Sequence, residues 1–247
     1  MKKKVVILSG AGISKESGIN TFRDSAGDGL WNNYKIEEVA TPNGWARDPQ
    51  KVNDFYNERR IEVLNAEPNS AHCRIAEEQK HFNVQVITQN VDDLHERAGA
   101  KDVLHIHGEI LKARSSNSSY DWMGMSHDEK INNPKLYDVG RKGLNYYKDY
   151  AEDGFPLRPA VVWFGESVPK IMDAVDIIKE ADILIVVGTS LNVYPAASLI
   201  NNVNDKCRVF YVDPDGDDAA YSFNCEYIKA PATKGINRVF DLLHNYG

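Results

Sequence analysis

The sequence predicts an α/β fold, a doubly wound and mostly parallel sheet covered by helices. Three observations carry that expectation. Val5-Val6-Ile7-Leu8 is an unbroken apolar run between Lys2-Lys3-Lys4 and Gly10, the pattern of a parallel strand buried on both faces. Similar runs recur at Val84–Thr88, Ala181–Val187 and Val209–Val212 with helix-patterned stretches between them, and such alternation builds parallel sheets through crossover helices. These strands also run out into glycine-rich or polar stretches, Gly10–Gly12, Gln89–Asp93 and Gly188–Ser190, and open α/β sheets bind their ligands at that end of the strands.

Composition sets the limits. A chain of 247 residues is long enough for one large domain or for a domain carrying inserted modules, and 42% apolar residues give it a real core. With 29 basic and 36 acidic side chains the formal charge is −7, which argues against broad binding to nucleic acid or to an anionic membrane. No apolar run approaches the roughly 18 residues of a membrane span, and the basic N-terminus leads straight into a strand rather than into a leader sequence. Cys73, Cys207 and Cys225 are widely spaced and form no CxxC pair, so neither a disulfide framework nor a cysteine-rich metal site is expected. A cytoplasmic, monomeric protein is the resulting expectation.

Taken in order, the first strand leads into a turn and a helix around Gly10, Ala11 and Gly12. Ser25–Asn33 has loop composition around Leu30 and Trp31, and Val39–Trp45 shows turn chemistry at Pro42 and Gly44. Asp48-Pro49 caps a helix reaching to about Asn65, with Val52, Phe55, Tyr56 and Val63 apolar. Pro68-Asn69-Ser70 starts another, ending near Phe82. Strands follow at Val84–Thr88 and Val103–Glu109, with a short helix from Leu94 to Ala98 between them. From Lys112 to Gly154 serine, asparagine, charge and tyrosine replace aliphatic residues, which marks an inserted module. Leu157–Phe164 returns to strand pattern. Pro195 opens a helix, and Thr233–Asn245 forms a terminal one with Ile236, Val239, Phe240 and Leu243 on one face.

Several residues have the chemistry of a site. Gly10 and Gly12 allow close backbone approach to a bound phosphate, and a helix start beyond them offers free N–H groups. The dinucleotide fingerprint is incomplete, because Lys15 stands at the third glycine and no strand-end acid follows about 20 residues on. Asn90 and Asp92 either line a pocket or merely cap a strand end. His105 and His107, two apart, are a general-base candidate, a pair of metal ligands without a third partner, or one buried and one exposed histidine.

The segments GAGIS, TFRD, TQNVD, HIHGE, VVWFGE and GTSLNVYPAA, in this order, resemble the sirtuins, NAD-dependent protein deacylases. The resemblance runs from about Val5 to Val212. It implies a Rossmann-like domain, 1–30, 80–111 and 156–247, and a small domain from two insertions, 31–79 and 112–155. It also implies that NAD is consumed: the acyl oxygen of an acylated lysine attacks the ribose carbon as nicotinamide leaves, and free lysine and an acyl-ADP-ribose result. His107 matches the base that takes a ribose hydroxyl proton, with Asn90 and Asp92 completing the catalytic set. Gly10, Ala11, Gly12, Ile19, Phe22, Arg23, Trp31, Gln89, Val91, Gly188, Thr189, Ser190, Asp213 and Ala232 would line the NAD site. Val161, Val162, Trp163, Phe164, Gly165 and Glu166 resemble the edge that receives an extended substrate peptide. Tyr56 and Arg59, one helical turn apart, match the pair of the branch that prefers succinyl- and malonyl-lysine, where a guanidinium meets the distal carboxylate.

The chain also departs from that pattern. Arg114-Ser115-Ser116-Asn117-Ser118 stands where most sirtuins place the first zinc cysteines, and no cysteine lies between Cys73 and Cys207. No structural zinc is therefore expected, with tyrosine-rich packing from Trp122 to Tyr150 in its place. Tyr211 stands near the usual ribose-binding asparagine, a role that Asp213 would take. An ADP-ribosyltransferase, an NAD glycohydrolase and a non-catalytic NAD sensor are the competing readings.

Overall fold

The computed structural model describes residues 2–20, 34–117, 135–216 and 224–246. Phe22, Arg23, Trp31, Ser118 and Trp122 lie outside the described residues. In chain order the described elements are β1 (Lys4–Ser9), α1 (Gly12–Lys15), α2 (Ile36–Val39), α3 (Pro42–Arg47), α4 (Pro49–Asn65), α5 (Ser70–Glu78), β2 (Asn83–Thr88), α6 (Leu94–Arg97), β3 (Val103–His105), β4 (Gly108–Ser115), β5 (Tyr137–Asp138) and β6 (Leu157–Val161). A helix at Ile171–Lys179, β7 (Ile183–Val187), a 3-10 helix at Ala196–Asn202, β8 (Arg208–Val212), β9 (Glu226–Ile228) and a helix at Ala232–Tyr246 complete them.

The six-stranded sheet runs β3-β2-β1-β7-β8-β9, and every neighbouring pair is parallel. Strand order reverses on either side of β1, which places the switch point of a doubly wound sheet between β1 and β7. Val5, Val6, Ile7 and Leu8 are all fully buried. Val5 and Ile7 face Ile75, Val86, Ile185 and Phe240 on one side, and Val6 and Leu8 face Ile178, Leu184, Leu199 and Tyr211 on the other. Successive side chains of a strand point to opposite faces, so this one run seeds both cores. Each such aliphatic side chain contributes on the order of 1.5–3 kcal/mol of burial.

A second sheet, ordered β5-β4-β6, is antiparallel. The strand pattern from Leu157 thus belongs to β6 beside β4 rather than to the large sheet, and it ends at Val161. Helix α4 packs under this ribbon with Val52, Phe55, Tyr56 and Val63 buried, against Ile110, Val161 and Trp163. Arg60 is fully buried there; its Nε donates to the Ile110 carbonyl at 2.9 Å, and desolvation pushes its pKa down to about 10. Asn57 ties α4 to the insert, donating to the Leu144 carbonyl at 2.9 Å and accepting from the Leu144 N–H at 2.8 Å.

Four local expectations change. Thr41-Pro42 starts a helix instead of a turn, because the Thr41 hydroxyl accepts from the Gly44 N–H at 3.0 Å and Pro42 takes the first helical position. The segment after Pro195 is 3-10 rather than α-helical. The helix begun by Asn69 ends at Glu78, four residues short of Phe82. The described tyrosines of the insert do not form its core: Tyr147 and Tyr150 are exposed, and Ala113, Val139, Leu144, Ala151 and Leu157 pack together instead, with Tyr137 at their margin. No described helix is long and apolar enough to cross a membrane.

Gly99 and Gly108 both hold positive φ, +98° and +84°. A Cβ at Gly99 meets open space, whereas one at Gly108 overlaps the Ala160 carbonyl oxygen. Gly99→Ala is expected to cost about 1–2 kcal/mol from backbone strain alone. Gly108→Ala should cost clearly more in urea unfolding, and equal losses would contradict this close approach of β4 to β6.

Candidate active site

The site begins where β1 and β7 end. The Gly10 N–H donates to the Val187 carbonyl at 3.0 Å and the Gly12 N–H to the Gly188 carbonyl at 2.8 Å. A Cβ on Gly10 would lie 2.6 Å from the Thr189 Cβ, and one on Gly12 would lie 2.7 Å from the Gly188 Cα. Gly188 itself holds φ +63°. These glycines serve the contact between two turns. The helix expected after Gly12 is a single turn, α1, followed by Gly18 at φ +86°.

The exit of β2 is tied to the same turns. Gln89 Nε2 donates to the Thr189 hydroxyl at 3.1 Å, and Tyr211 donates to the Thr189 carbonyl at 3.0 Å. Asn90 Nδ2 donates to the Ser14 hydroxyl at 3.1 Å, which donates in turn to Asp92 Oδ2 at 2.9 Å. Asp92 Oδ1 accepts from the Leu94 N–H at 3.2 Å. Asn90 and Asp92 are both buried, and desolvation raises the Asp92 carboxyl above its ordinary range despite these bonds. Beneath them, the Asn90 N–H donates to the Thr88 hydroxyl at 3.0 Å, the Ser9 hydroxyl donates to Thr88 Oγ1 at 2.9 Å, and His95 Nε2 lies 3.0 Å from Ser9 Oγ. His72, whose Nδ1 accepts from the Asn69 N–H, meets the His95 ring edge-on at 4.9 Å. Burial pushes His72 down to about 4 and His95 well below the usual histidine value.

His105 closes β3 and His107 lies in the turn before β4, so they do not share one strand face. Both nevertheless reach the exit of β2. His107 Nδ1 is 3.1 Å from the Gln89 carbonyl, and His105 Nδ1 is 3.1 Å from the Asn90 carbonyl. A carbonyl oxygen only accepts, so both Nδ1 atoms carry hydrogen. Burial lowers the His107 pKa, partly offset by that bond. Its ring is then neutral with the lone pair on Nε2, the form a general base needs.

The remaining expected site residues are placed less uniformly. Val91 and Ile19 each pack against the α4 cluster, and the Val91 carbonyl accepts from the Ile110 N–H at 2.8 Å. Ser190 is exposed. Asp213 follows β8 with its carboxylate accepting from the Asp215 N–H at 2.8 Å, and Ala232 is buried at the start of the terminal helix. Val161 and Trp163 are buried and Phe164 is exposed. Glu166 turns inward, paired with Arg158 at 2.6 Å, while the Arg158 guanidinium lies over the Trp163 ring. Tyr56 is only 6% exposed, in one apolar cluster with Val91, Val161 and Trp163. Ser9, Ser14, Thr88 and His95 were not singled out from the sequence. Of these, Ser14 inside GAGIS and Thr88 at the start of TQNVD carry a signal. Where the zinc cysteines were looked for, Ser115 donates to Asp153 Oδ2 at 2.7 Å. No group of three or more His, Cys, Asp or Glu able to hold a metal occurs among the described residues.

Fold and site define a nucleotide-binding α/β protein with a neutral imidazole at the carboxyl edge of its sheet. Residues 10–195 match the model of the Sir2 family. An NAD-dependent protein deacylase of Helicobacter pylori is 48% identical over 234 residues, covering 95% of this chain and 94% of that protein. One of Bacteroides thetaiotaomicron is 46% identical over 241 residues, with 98% of each covered. Among solved structures, a Sir2 homologue in complex with NAD superposes with a TM-score of 0.80 at 35% identity, covering 99% of this chain and 90% of that one. A Sir2 bound to acetylated peptide gives 0.74 at 25%, covering 98% and 94%. The chain belongs to the Sir2 family, and NAD is the cofactor its site uses.

Ser14→Ala removes the one hydroxyl that bridges Asn90 and Asp92. NAD-dependent nicotinamide release is expected to fall on the order of 10–100-fold, as for other small misplacements of reacting groups, while thermal unfolding shifts little. An unchanged rate would show that the bridge does not position the site.

Proposed function

We propose that this chain is an NAD-dependent lysine deacylase that acts on acylated lysine in extended peptides and favours succinyl and malonyl groups. The observation that carries the reading is the state of His107. Its Nδ1 is committed to the Gln89 carbonyl at 3.1 Å, and its burial favours the neutral ring. Nε2 is thereby left as the proton acceptor, on the loop next to the Asn90–Ser14–Asp92 chain. His107 takes the proton of a ribose hydroxyl, and Asn90 and Asp92 orient the ribose and carboxamide. The turns at Gly10, Gly12 and Gly188 lie at the switch point, where their backbone can approach a pyrophosphate. Phe22, Arg23 and Trp31 are assigned to the same cofactor loop from the sequence.

The acidic-acyl preference rests on α4. Arg59 lies 3.2 Å from Glu62 Oε1 and 3.7 Å from Glu58 Oε2, both partly exposed carboxylates, and its buried Nε makes no hydrogen bond among the described residues. Ion pairs with exposed partners are weak, so a substrate carboxylate can displace them and take a guanidinium edge bidentately. Tyr56, one turn back, adds a phenol whose ionisation burial suppresses. On the peptide side the N–H groups of Val162, Trp163, Phe164 and Glu166 are already committed, to His107, Glu166, Ala40 and Trp163 respectively. An added strand would use Gly165 N–H and the carbonyls of this segment.

Mass spectrometry of acetyl-, malonyl- and succinyl-lysine peptides incubated with protein and NAD tests the reading directly. Loss of the acyl group with equimolar nicotinamide is expected. Nicotinamide release without deacylation would point to a transferase or glycohydrolase, and binding without release to a sensor. Arg59→Met should lower succinyl-peptide kcat/KM by at least about tenfold with much less effect on the acetyl peptide; equal losses would remove the carboxylate contact. Because His107 titrates below the ordinary 6.5, its base form persists into mild acid. The acidic limb of the kcat/KM profile should accordingly lie below pH 6.5, and a limb above that value would contradict the assignment.

A further inference from the structure

His105 plays no part in the chemistry assigned above, yet the residue is only 4% exposed and both ring nitrogens are engaged. Nδ1 is 3.1 Å from the Asn90 carbonyl and Nε2 is 2.7 Å from Glu96 Oε1. A carbonyl and an ionised carboxylate both only accept. A neutral imidazole has one N–H and can satisfy one of them, so the pair of contacts requires an imidazolium. The ring thus bridges α6 to the residue that begins the polar chain Asn90–Ser14–Asp92.

We propose that His105 is a positioning residue: its doubly protonated ring ties the Asn90 carbonyl to Glu96, and loss of one ring proton as pH rises releases the strand exit that carries Asn90 and Asp92. This rests on the reading of His107, Asn90 and Asp92 as the reacting centre. The surroundings favour the charge. Glu109 of β4 and the loop carboxylates Asp92 and Asp93 act on the ring electrostatically, and each favours its proton. A cavity of about 230 Å³ beside it is lined by Asp93, Glu96, Glu109, Lys112 and Asp138, with Lys112 paired to Asp138. Behind it, His95 and His72 are kept neutral by burial and add no competing charge. Burial alone would lower the His105 pKa, but the Glu96 hydrogen bond and charge, the Asn90 carbonyl and Glu109 together raise it above its ordinary value. The bridge is therefore intact below the ordinary histidine value and is lost as pH rises through the raised one.

Ring 1H–15N spectra of the wild-type protein test the charge without reference to turnover. Both His105 nitrogens should be protonated at pH 7, with His107 neutral; a neutral His105 at pH 7 overturns the proposal. If the imidazolium is present but no NAD is consumed, the deacylase reading fails and the bridge stands. For function, His105→Gln offers a non-titrating amide that can donate to one of the two acceptors. It should retain more of the pH 7 rate than His105→Ala, because one of the two hydrogen bonds survives, and lose the alkaline limb of kcat. His105→Ala should lower kcat on the order of 10–100-fold with peptide KM little changed. Glu96→Gln should move the His105 ring titration and the alkaline limb of kcat to lower pH together. An alkaline limb unchanged in His105→Gln, or moving apart from the ring titration in Glu96→Gln, defeats the proposal even if the alanine variant fails to fold.

Discussion

Two backbone hydrogen bonds, Gly10 to Val187 and Gly12 to Gly188, hold the carboxyl edge of the sheet together. They are possible only because neither turn carries a side chain at the point of contact: a Cβ on Gly10 or Gly12 would sit within 2.6–2.7 Å of the opposing turn. Gln89 extends the tie to β2 through the Thr189 hydroxyl at 3.1 Å. Three strand exits, which the polypeptide visits far apart in sequence, are thereby joined at the switch point. The polar chain from Ser14 to Asn90 and Asp92 is a consequence, because Ser14 follows Gly12 on a turn that cannot move away from β7.

On that foundation the histidines differ only by their partners. His95 faces a hydroxyl deep in the interior and stays neutral. His107 faces one carbonyl, stays neutral, and keeps a lone pair. His105 faces a carbonyl and a carboxylate and holds a charge. Coulombic repulsion from His105 helps to keep His95 uncharged. One residue type thus supplies a structural donor, a neutral ring with a free lone pair and a cationic bridge within a single region, and the assignment follows from counting acceptors around each ring.

Much of this was legible in the sequence where one physical cause dominates. Val5–Leu8 and Ile183–Val187 are buried on both faces, and burial of that kind leaves an unbroken apolar run. Asp48-Pro49 and Asn69-Ser70 could be read as helix starts because a cap is a local event. The pairing of β6 with β4 could not, since it depends on Gly108 at φ +84° allowing the chain to fold back at once after β3. Thr41-Pro42 carries turn and helix-start chemistry alike, and only the following turn of α3 decides between them. The charge on His105 was hidden because its acid, Glu96, sits on α6, a separate element. The adenine-side positions Asp213 and Ala232 remain assignments from resemblance, as do the cofactor-loop residues outside the described segments.

The edge-on contact of His72 with His95 has a consequence for the whole molecule. Both rings are buried without charge, His72 titrating near 4, whereas in an unfolded chain each would accept a proton near pH 6.5. Above pH 6.5 the two states bind protons alike at these sites. As pH falls from there towards 4, the unfolded chain takes up protons that the native one refuses, and stability declines by up to about 1.4 kcal/mol per pH unit for each ring. The floor beneath Asn90 is therefore an acid fuse: acidification weakens the fold from directly under the exit of β2.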